Sequence, residues 1–298
     1  MFKPAKILGS ALLSCLGKLT GSRRFLKTAT NLDPVNTRAK LYLLQQKDLS
    51  REDYYRVLFE TFELFSFIKT GLSQQHQHQP EVLTFWSKSE SELYQDLFVL
   101  SEHRFKQDGF FVEIGVGNGK RISNTYLLEK EFGWRGILVE PNRNLASAIQ
   151  TTRRAILDQR AVFSKTGLEL DFLVDTAEVE LSTLVEFKDT DQRRRSGEVY
   201  KVSTITLNDL LACHHAPQKI DYISIDTEGS ELEILQSFDF TKYQVSILTV
   251  EHNYDEAKQA KLKKLMESNG FTQVVAGTSK WDAWFISEAM LPAWAGKT

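Results

Sequence analysis

The chain is poor in cysteine. Only Cys15 and Cys213 occur in its 298 residues, too few and too far apart for a disulfide framework or a zinc ligand set, and they fit a reducing compartment. Net charge is also scarce: 37 lysines and arginines against 39 aspartates and glutamates leave −2, which gives no electrostatic footprint for a nucleic-acid partner. Long apolar runs are lacking too, and the run from Ile7 to Leu16 is too short to span a bilayer. With 42% hydrophobic and 26% charged residues, the composition is that of a soluble globular protein. Its length suits one large α/β domain with an extension, or two small domains.

What the sequence does have is organised around one stretch, Gly109-Phe110-Phe111-Val112-Glu113-Ile114-Gly115-Val116-Gly117-Asn118-Gly119. The apolar, β-branched run reads as a strand buried on both faces of a parallel sheet. It ends on an acid and three alternating glycines, where the backbone can turn sharply and a ligand can approach the main chain. A helical pattern follows (Ile122, Tyr126, Leu127, Phe132), giving the strand–turn–helix opening of a Rossmann-type unit. Dinucleotide folds prefer G-x-G-x-x-G, which leads a pyrophosphate onto the helix N-terminus. The acid-x-G-x-G-x-G found here resembles instead the first motif of class I S-adenosylmethionine-dependent methyltransferases, whose cofactor has no pyrophosphate.

Three further strand ends carry candidate chemistry. The strand Ile137-Leu138-Val139 ends on Glu140, about twenty residues past the glycines, where an acid of this fold reaches ribose hydroxyls; Asn142 reads as the cap of the next helix. A third strand is expected over Ile156 to Val162. It offers no acid in Gln159-Arg160-Ala161-Val162 for an adenine amino group, so adenine recognition falls to main-chain atoms near Ala161. The strand in Ile220 to Ile225 ends on Asp226, followed by Glu228, at the edge where open α/β sheets place their ligands. Ser230 with Glu233 reads as a capping box there, as does Asn253 with Glu256 after the strand Val245 to Glu251. His252, at that strand's end, has the pKa of a proton acceptor working near neutrality. Glu169 to Val174 reads as an added strand, and Asp189 to Ser196, with Arg193, Arg194 and Arg195, as an exposed loop. Phe271 to Val275 and Trp281 to Ile286, joined by Gly277-Thr278-Ser279, read as a terminal hairpin.

The chain before this core reads as residues 1–88, a basic leader with a helical cap, followed by a domain over 89–298. Helical spacing runs from Pro34 to about Thr70, and the polar stretch Gln74–Pro80, with His76 and His78, reads as a linker. Ser89 to about Phe105 is a further expected helix. Lys3, Lys6, Lys18, Arg23, Arg24 and Lys27 precede the first acid, Asp33, so the leader is a candidate for weak contact with an anionic membrane surface. The cytoplasm is the expected location.

Together, Phe111–Gly119, Ser123–Glu129, Trp134–Asn142, Thr206–Leu210, Asp221–Glu231 and Val250–Asn253 resemble the FkbM family of methyltransferases. The resemblance implies a Rossmann-like seven-stranded class I methyltransferase sheet, mostly parallel with an antiparallel last strand. It also implies S-adenosyl-L-methionine as cofactor and a hydroxyl on a small-molecule or glycan acceptor (a sugar, glycolipid or natural product) as the methyl-accepting group. By position, Glu113, Gly115, Gly117 and Gly119 would hold the methionine part and Glu140 the ribose, while Asp226, Glu228 and His252 would face the methyl group and acceptor. The acceptor proton would leave to His252, or to Asp226 directly or through a divalent ion shared with Glu228, although the sequence shows no metal-ligand set. A nicotinamide-dependent oxidoreductase on the same fold and a non-catalytic binding protein with a vestigial fold are the alternatives. Nucleic acid is not an expected partner: the strand ending at Asp226 lacks the Asn/Asp-Pro-Pro-aromatic motif of base amino methyltransferases.

Overall fold

In the computed structural model the described residues are 85, 88–188, 196–274 and 279–290. The basic leader, the helical pattern of 34–70, the linker with His76 and His78, the Arg193–Arg195 run and the hairpin turn at Gly277-Thr278 lie outside them.

The main sheet has seven strands. β1 (Phe110–Ile114) lies inside it, with β2 (Arg135–Val139) and β3 (Ile156–Asp158) to one side. On the other side follow β8 (Lys219–Ile225), β9 (Gln244–Glu251), β11 (Asp282–Ser287) and β10 (Phe271–Val274). Contacts from β3 through to β9 are parallel, and β11 runs antiparallel to both β9 and β10. The expected fold class is therefore present, hairpin included. The sheet forms because Val112, Ile137, Ile223 and Leu248 line up on adjacent strands and are all fully buried. Apolar residues of helices α4 (Leu207–Cys213), α5 (Glu231–Gln236) and α6 (Glu256–Ser268) cover one face: Leu207, Leu210 and Leu211, then Ile234 and Leu235, then Leu262 and Met266. Each such side chain contributes about 1.5–3 kcal/mol when removed from water. No helix among the described residues is long and apolar enough to cross a membrane.

Two expectations change. The helix foreseen from Ser89 is shorter, α1 (Gln95–Glu102). Ser91 Oγ accepts from the Gln95 N–H at 3.0 Å, and Tyr94 in a left-handed conformation marks the start; Arg104 and Phe105 in the same conformation end the run. The single strand foreseen over Ile156 to Val162 is two. Arg160 N donates to Asp158 Oδ1 at 2.9 Å and its guanidinium closes on the same carboxylate at 2.6 Å. That turn ends β3 and sends β4 (Ala161–Val162) into a second sheet of order β4-β7-β5-β6, with β5 (Glu169–Asp175), β6 (Thr183–Leu184) and β7 (Gly197–Ile205).

Candidate active site

Strand order reverses between β1 and β8, since the chain builds outward from β1 in both directions, and ligands of open α/β sheets bind at the carboxyl ends beside such a switch point. Gly115 sits at that seam with φ +82°, and a Cβ built on it would lie 1.6 Å from the Asp226 carbonyl oxygen. Only glycine lets the β1 turn and the β8 end come this close. The Gly115 N–H donates to Val139 O at 3.0 Å and Asp226 N–H to Ile114 O at 2.9 Å, so the ends of β2, β1 and β8 are tied side by side.

Gly117 (φ +55°) turns its N–H onto Glu140 Oε2 at 2.8 Å, while Asn142 N–H donates to Glu140 Oε1 at 2.8 Å. Glu140 is thus aimed by two backbone donors at the cavity rim. Burial pushes its pKa up to about 7 against the pull of those donors. Its remaining lone pairs can accept from vicinal hydroxyls. Asn142 caps the turn that follows, accepting from Asn144 N–H at 3.1 Å, as its sequence position suggested. Gly119 differs from its two neighbours: a Cβ there would press on Ile149 and Arg153 at 3.2–3.3 Å, so it serves helix packing rather than the cradle.

Glu113 reaches the cavity wall, but its carboxylate is committed. It accepts from Asn124 N at 2.6 Å, Ser123 Oγ at 2.8 Å and Thr125 Oγ1 at 2.5 Å. Arg153, whose side chain is fully buried, lies 3.7 Å away. Burial raises the Glu113 pKa and Arg153 opposes it. This acid anchors the segment leading into α2 (Tyr126–Phe132). Arg153 was missed by sequence reasoning, because an arginine after a helix (α3, Ala146–Thr152) carries no local signal of burial.

Across the seam lie the acids. Asp226 follows β8, Glu228 stands in the next loop with φ +58°, and Glu251 ends β9. One oxygen from each lies within 4.8 Å of the others. Burial raises the pKa of both Asp226 and Glu251 well above the carboxylate range; the Glu228 charge adds to the rise at Asp226 and the Asp226 charge to that at Glu251, while a hydrogen bond with Glu251 pulls the Asp226 value back. Asn253 Nδ2 donates to Glu251 Oε2 at 2.8 Å and reaches Glu228 Oε2 at 3.4 Å.

Neither capping box forms at this edge. Ser230 Oγ donates to Thr227 Oγ1 at 2.9 Å, and Asp255, not Asn253, caps α6 by accepting from Lys258 N at 2.9 Å. Asn253 is thereby left to bridge the acids. Glu231 is fully buried, accepts from Thr227 N (2.9 Å) and Gly229 N (3.1 Å) and pairs with Lys258, fixing the loop that carries Glu228. His252 is the clearest departure from expectation. It is 3% exposed and, like Glu228 and Glu251, is not among the cavity-lining residues; what separates it from them is that it does not join the Asp226 cluster, and its ring nitrogens have no hydrogen-bond partner among the described residues. Burial lowers its pKa. Side chains alternate along a strand, so the structure brings Glu251 to Asp226 and leaves His252 behind. Glu251 was legible in principle: Ile225 and Val250 are register partners, and each is followed at once by an acid.

The second sheet closes the cavity from above. Ala161, Val162, Phe172 and Leu184 line it opposite Val139 and Glu140. This roof is tied down on both sides, by Tyr200 Oη donating to Pro141 O at 3.0 Å and by Thr183 Oγ1 donating to Glu228 O at 3.1 Å. Glu180, in a short turn between β5 and β6, pairs with Arg121 at 3.2 Å and overhangs Gly117.

A family model described as "Methyltransferase FkbM domain" matches residues 113–272. A comparison with curated proteins gives no match. Among solved structures, precorrin-6y C5,15-methyltransferase from Geobacter metallireducens is 14% identical, over 64% of this chain and 85% of its own, with a TM-score of 0.34. A mutant of MtNAS in complex with S-adenosylmethionine is 9% identical, over 94% of this chain and 96% of its own, also with a TM-score of 0.34.

Proposed function

The chain belongs to the FkbM methyltransferase domain family, and from that membership we propose that it binds S-adenosylmethionine across the ends of β2, β1 and β8 and methylates a hydroxyl oxygen of a sugar, glycolipid or natural-product acceptor. The observation that carries this reading is the division of labour at the seam. On one side Glu140 is presented by the Gly117 and Asn142 N–H groups. On the other the Asp226 and Glu251 carboxyl groups stand together with Glu228, within 4.8 Å of one another, and burial raises the pKa of Asp226 and of Glu251. A vicinal diol fits the first, and a hydroxyl that must lose its proton fits the second.

When bound, S-adenosylmethionine supplies a methyl group activated by its sulfonium sulfur. The chain's own share is mostly alignment. Glu140 would hold the ribose, the glycine turn would let the amino-acid portion lie against main chain, and Asp226, the acid that lines the cavity, would accept the hydroxyl proton with Glu251 hydrogen-bonded behind it. A cationic sulfonium beside this acid-rich edge favours the ionised carboxylate.

A second reading has its own observation. Three carboxylate oxygens within 4.8 Å also suit one hard, oxygen-preferring divalent cation, which would acidify the hydroxyl instead. Calorimetry with S-adenosylhomocysteine tests the cofactor site: absence of binding would sink the proposal. Turnover after exhaustive chelation separates the two proton routes, since the carboxyl pair keeps its activity and a cation-dependent site loses it.

A further inference from the structure

The roof sheet is absorbed by no part of the chemistry above, yet it supplies the apolar half of the cavity. Phe172 and Leu184 are register partners on the antiparallel pair β5–β6, and Phe172 is also the partner of Tyr200 on β7. They therefore form a row on one face of the sheet. Phe172 is 4% and Leu184 5% exposed, and both line the cavity together with Ala161 and Val162. The acid that ends β3, Asp158, is occupied elsewhere: it holds the Arg160 guanidinium and lies 2.7 Å from His214 Nε2, and it is not among the cavity-lining residues. The polar side chains of the roof are committed as well. Ser182 Oγ donates to Val179 O at 2.6 Å and accepts from Asp175 N at 3.1 Å. Glu180 is paired with Arg121 over the glycine turn.

Position in the sheet decides what lies under this wall. Glu140 on β2 marks the ribose, and the acids on β8 and β9 mark the reacting end, so the base lies beyond β2, towards β4 and the roof. We propose that the roof recognises the nucleobase by apolar enclosure between Phe172, Leu184 and the β4 main chain, with no carboxylate among the described residues reading its exocyclic amine. This rests on the cofactor reading above. Its consequence is chemical: a pocket that offers the base main-chain atoms but no dedicated polar side chain among the described residues discriminates weakly between ligands that differ in one polar group, whereas a site built to hydrogen-bond that group rejects the analogue by ~10⁴-fold or more. The protein therefore accepts nucleosides altered at the purine 6-position, hypoxanthine in place of adenine included.

The test is calorimetry on the full chain with S-adenosylhomocysteine and S-inosylhomocysteine. The inosyl compound is expected to bind weaker by less than about a hundredfold; a larger gap overturns the inference while leaving the cofactor reading intact. Failure of both compounds to bind overturns both. Phe172→Ala is expected to weaken S-adenosylhomocysteine and 5′-methylthioadenosine by the same factor, roughly tenfold or more, with Phe172→Leu restoring most of it. A smaller loss, or different losses for the two compounds, counts against the wall. If Phe172→Ala does not fold, Leu184→Ala on the opposing strand carries the same expectation.

Discussion

The two sides of the seam are built on opposite principles. The β2 side is satisfied: Glu140 has two backbone donors, and the roof above it is anchored to Pro141 and to the loop after β8. The β8–β9 side is unbalanced, with Asp226, Glu228 and Glu251 gathered around Lys258 and Asn253. A binding surface gains from preorganised donors that need no rearrangement. A proton acceptor gains from crowding that keeps its pKa movable. On the proposed reading, the contrast assigns affinity to one flank and turnover to the other.

The largest expected effect breaks the acid flank alone. Asp226→Asn is expected to lower turnover by roughly 10²–10⁴-fold while leaving S-adenosylhomocysteine affinity within about tenfold; single-turnover assays beside calorimetry check it. A matching loss of affinity would merge the two flanks into one. Glu140→Ala is the mirror experiment, with affinity for S-adenosylhomocysteine falling by roughly ten- to a hundredfold as charge-assisted hydrogen bonds are lost.

The third prediction concerns pH. The folded-state pKa of Glu140 lies at about 7 and that of Asp282 at about 6, against 4.5 and 3.8 for the free groups. The native state therefore binds protons more tightly than the unfolded one. Stability contributed by these groups is complete below their unfolded pKa values and is lost as pH rises through the folded ones. Denaturant unfolding of the ligand-free protein is expected to lose roughly 1–3 kcal/mol between pH 4.5 and pH 7.5, and Glu140→Gln flattens that slope. A rising slope would contradict the satisfied, buried state of Glu140. The smallest effect is expected at His252: His252→Ala changes turnover by less than about threefold. A loss comparable to that of Asp226→Asn would return the imidazole to the chemistry.

The central strands and their acids were legible because β1, β2 and β8 combine the three signals a sequence displays best: a buried apolar run, an abrupt polar end and, for β1, alternating glycines. The roof was not. β4 and β6 have two residues each, and β7 is exposed on both faces over its first half, with Glu198 on one and Lys201 on the other, so neither length nor periodicity marks them as walls. Ser230 and Asn253 fit the capping-box spacing, but spacing does not reveal a competing partner. Thr227 takes the one, and two carboxylates three-dimensionally adjacent but 23 residues apart take the other. His252 drew attention through its intrinsic acidity, while pleating, which decides which neighbour faces inward, favoured Glu251.

The near-contact of Gly115 with the Asp226 carbonyl has a mechanical outcome. With no side chain between them as a cushion, the backbone of the glycine turn and the backbone that carries Asp226 are held in direct contact. On the proposed reading, a shift of the glycine turn on release of the spent cofactor would therefore be passed to Asp226.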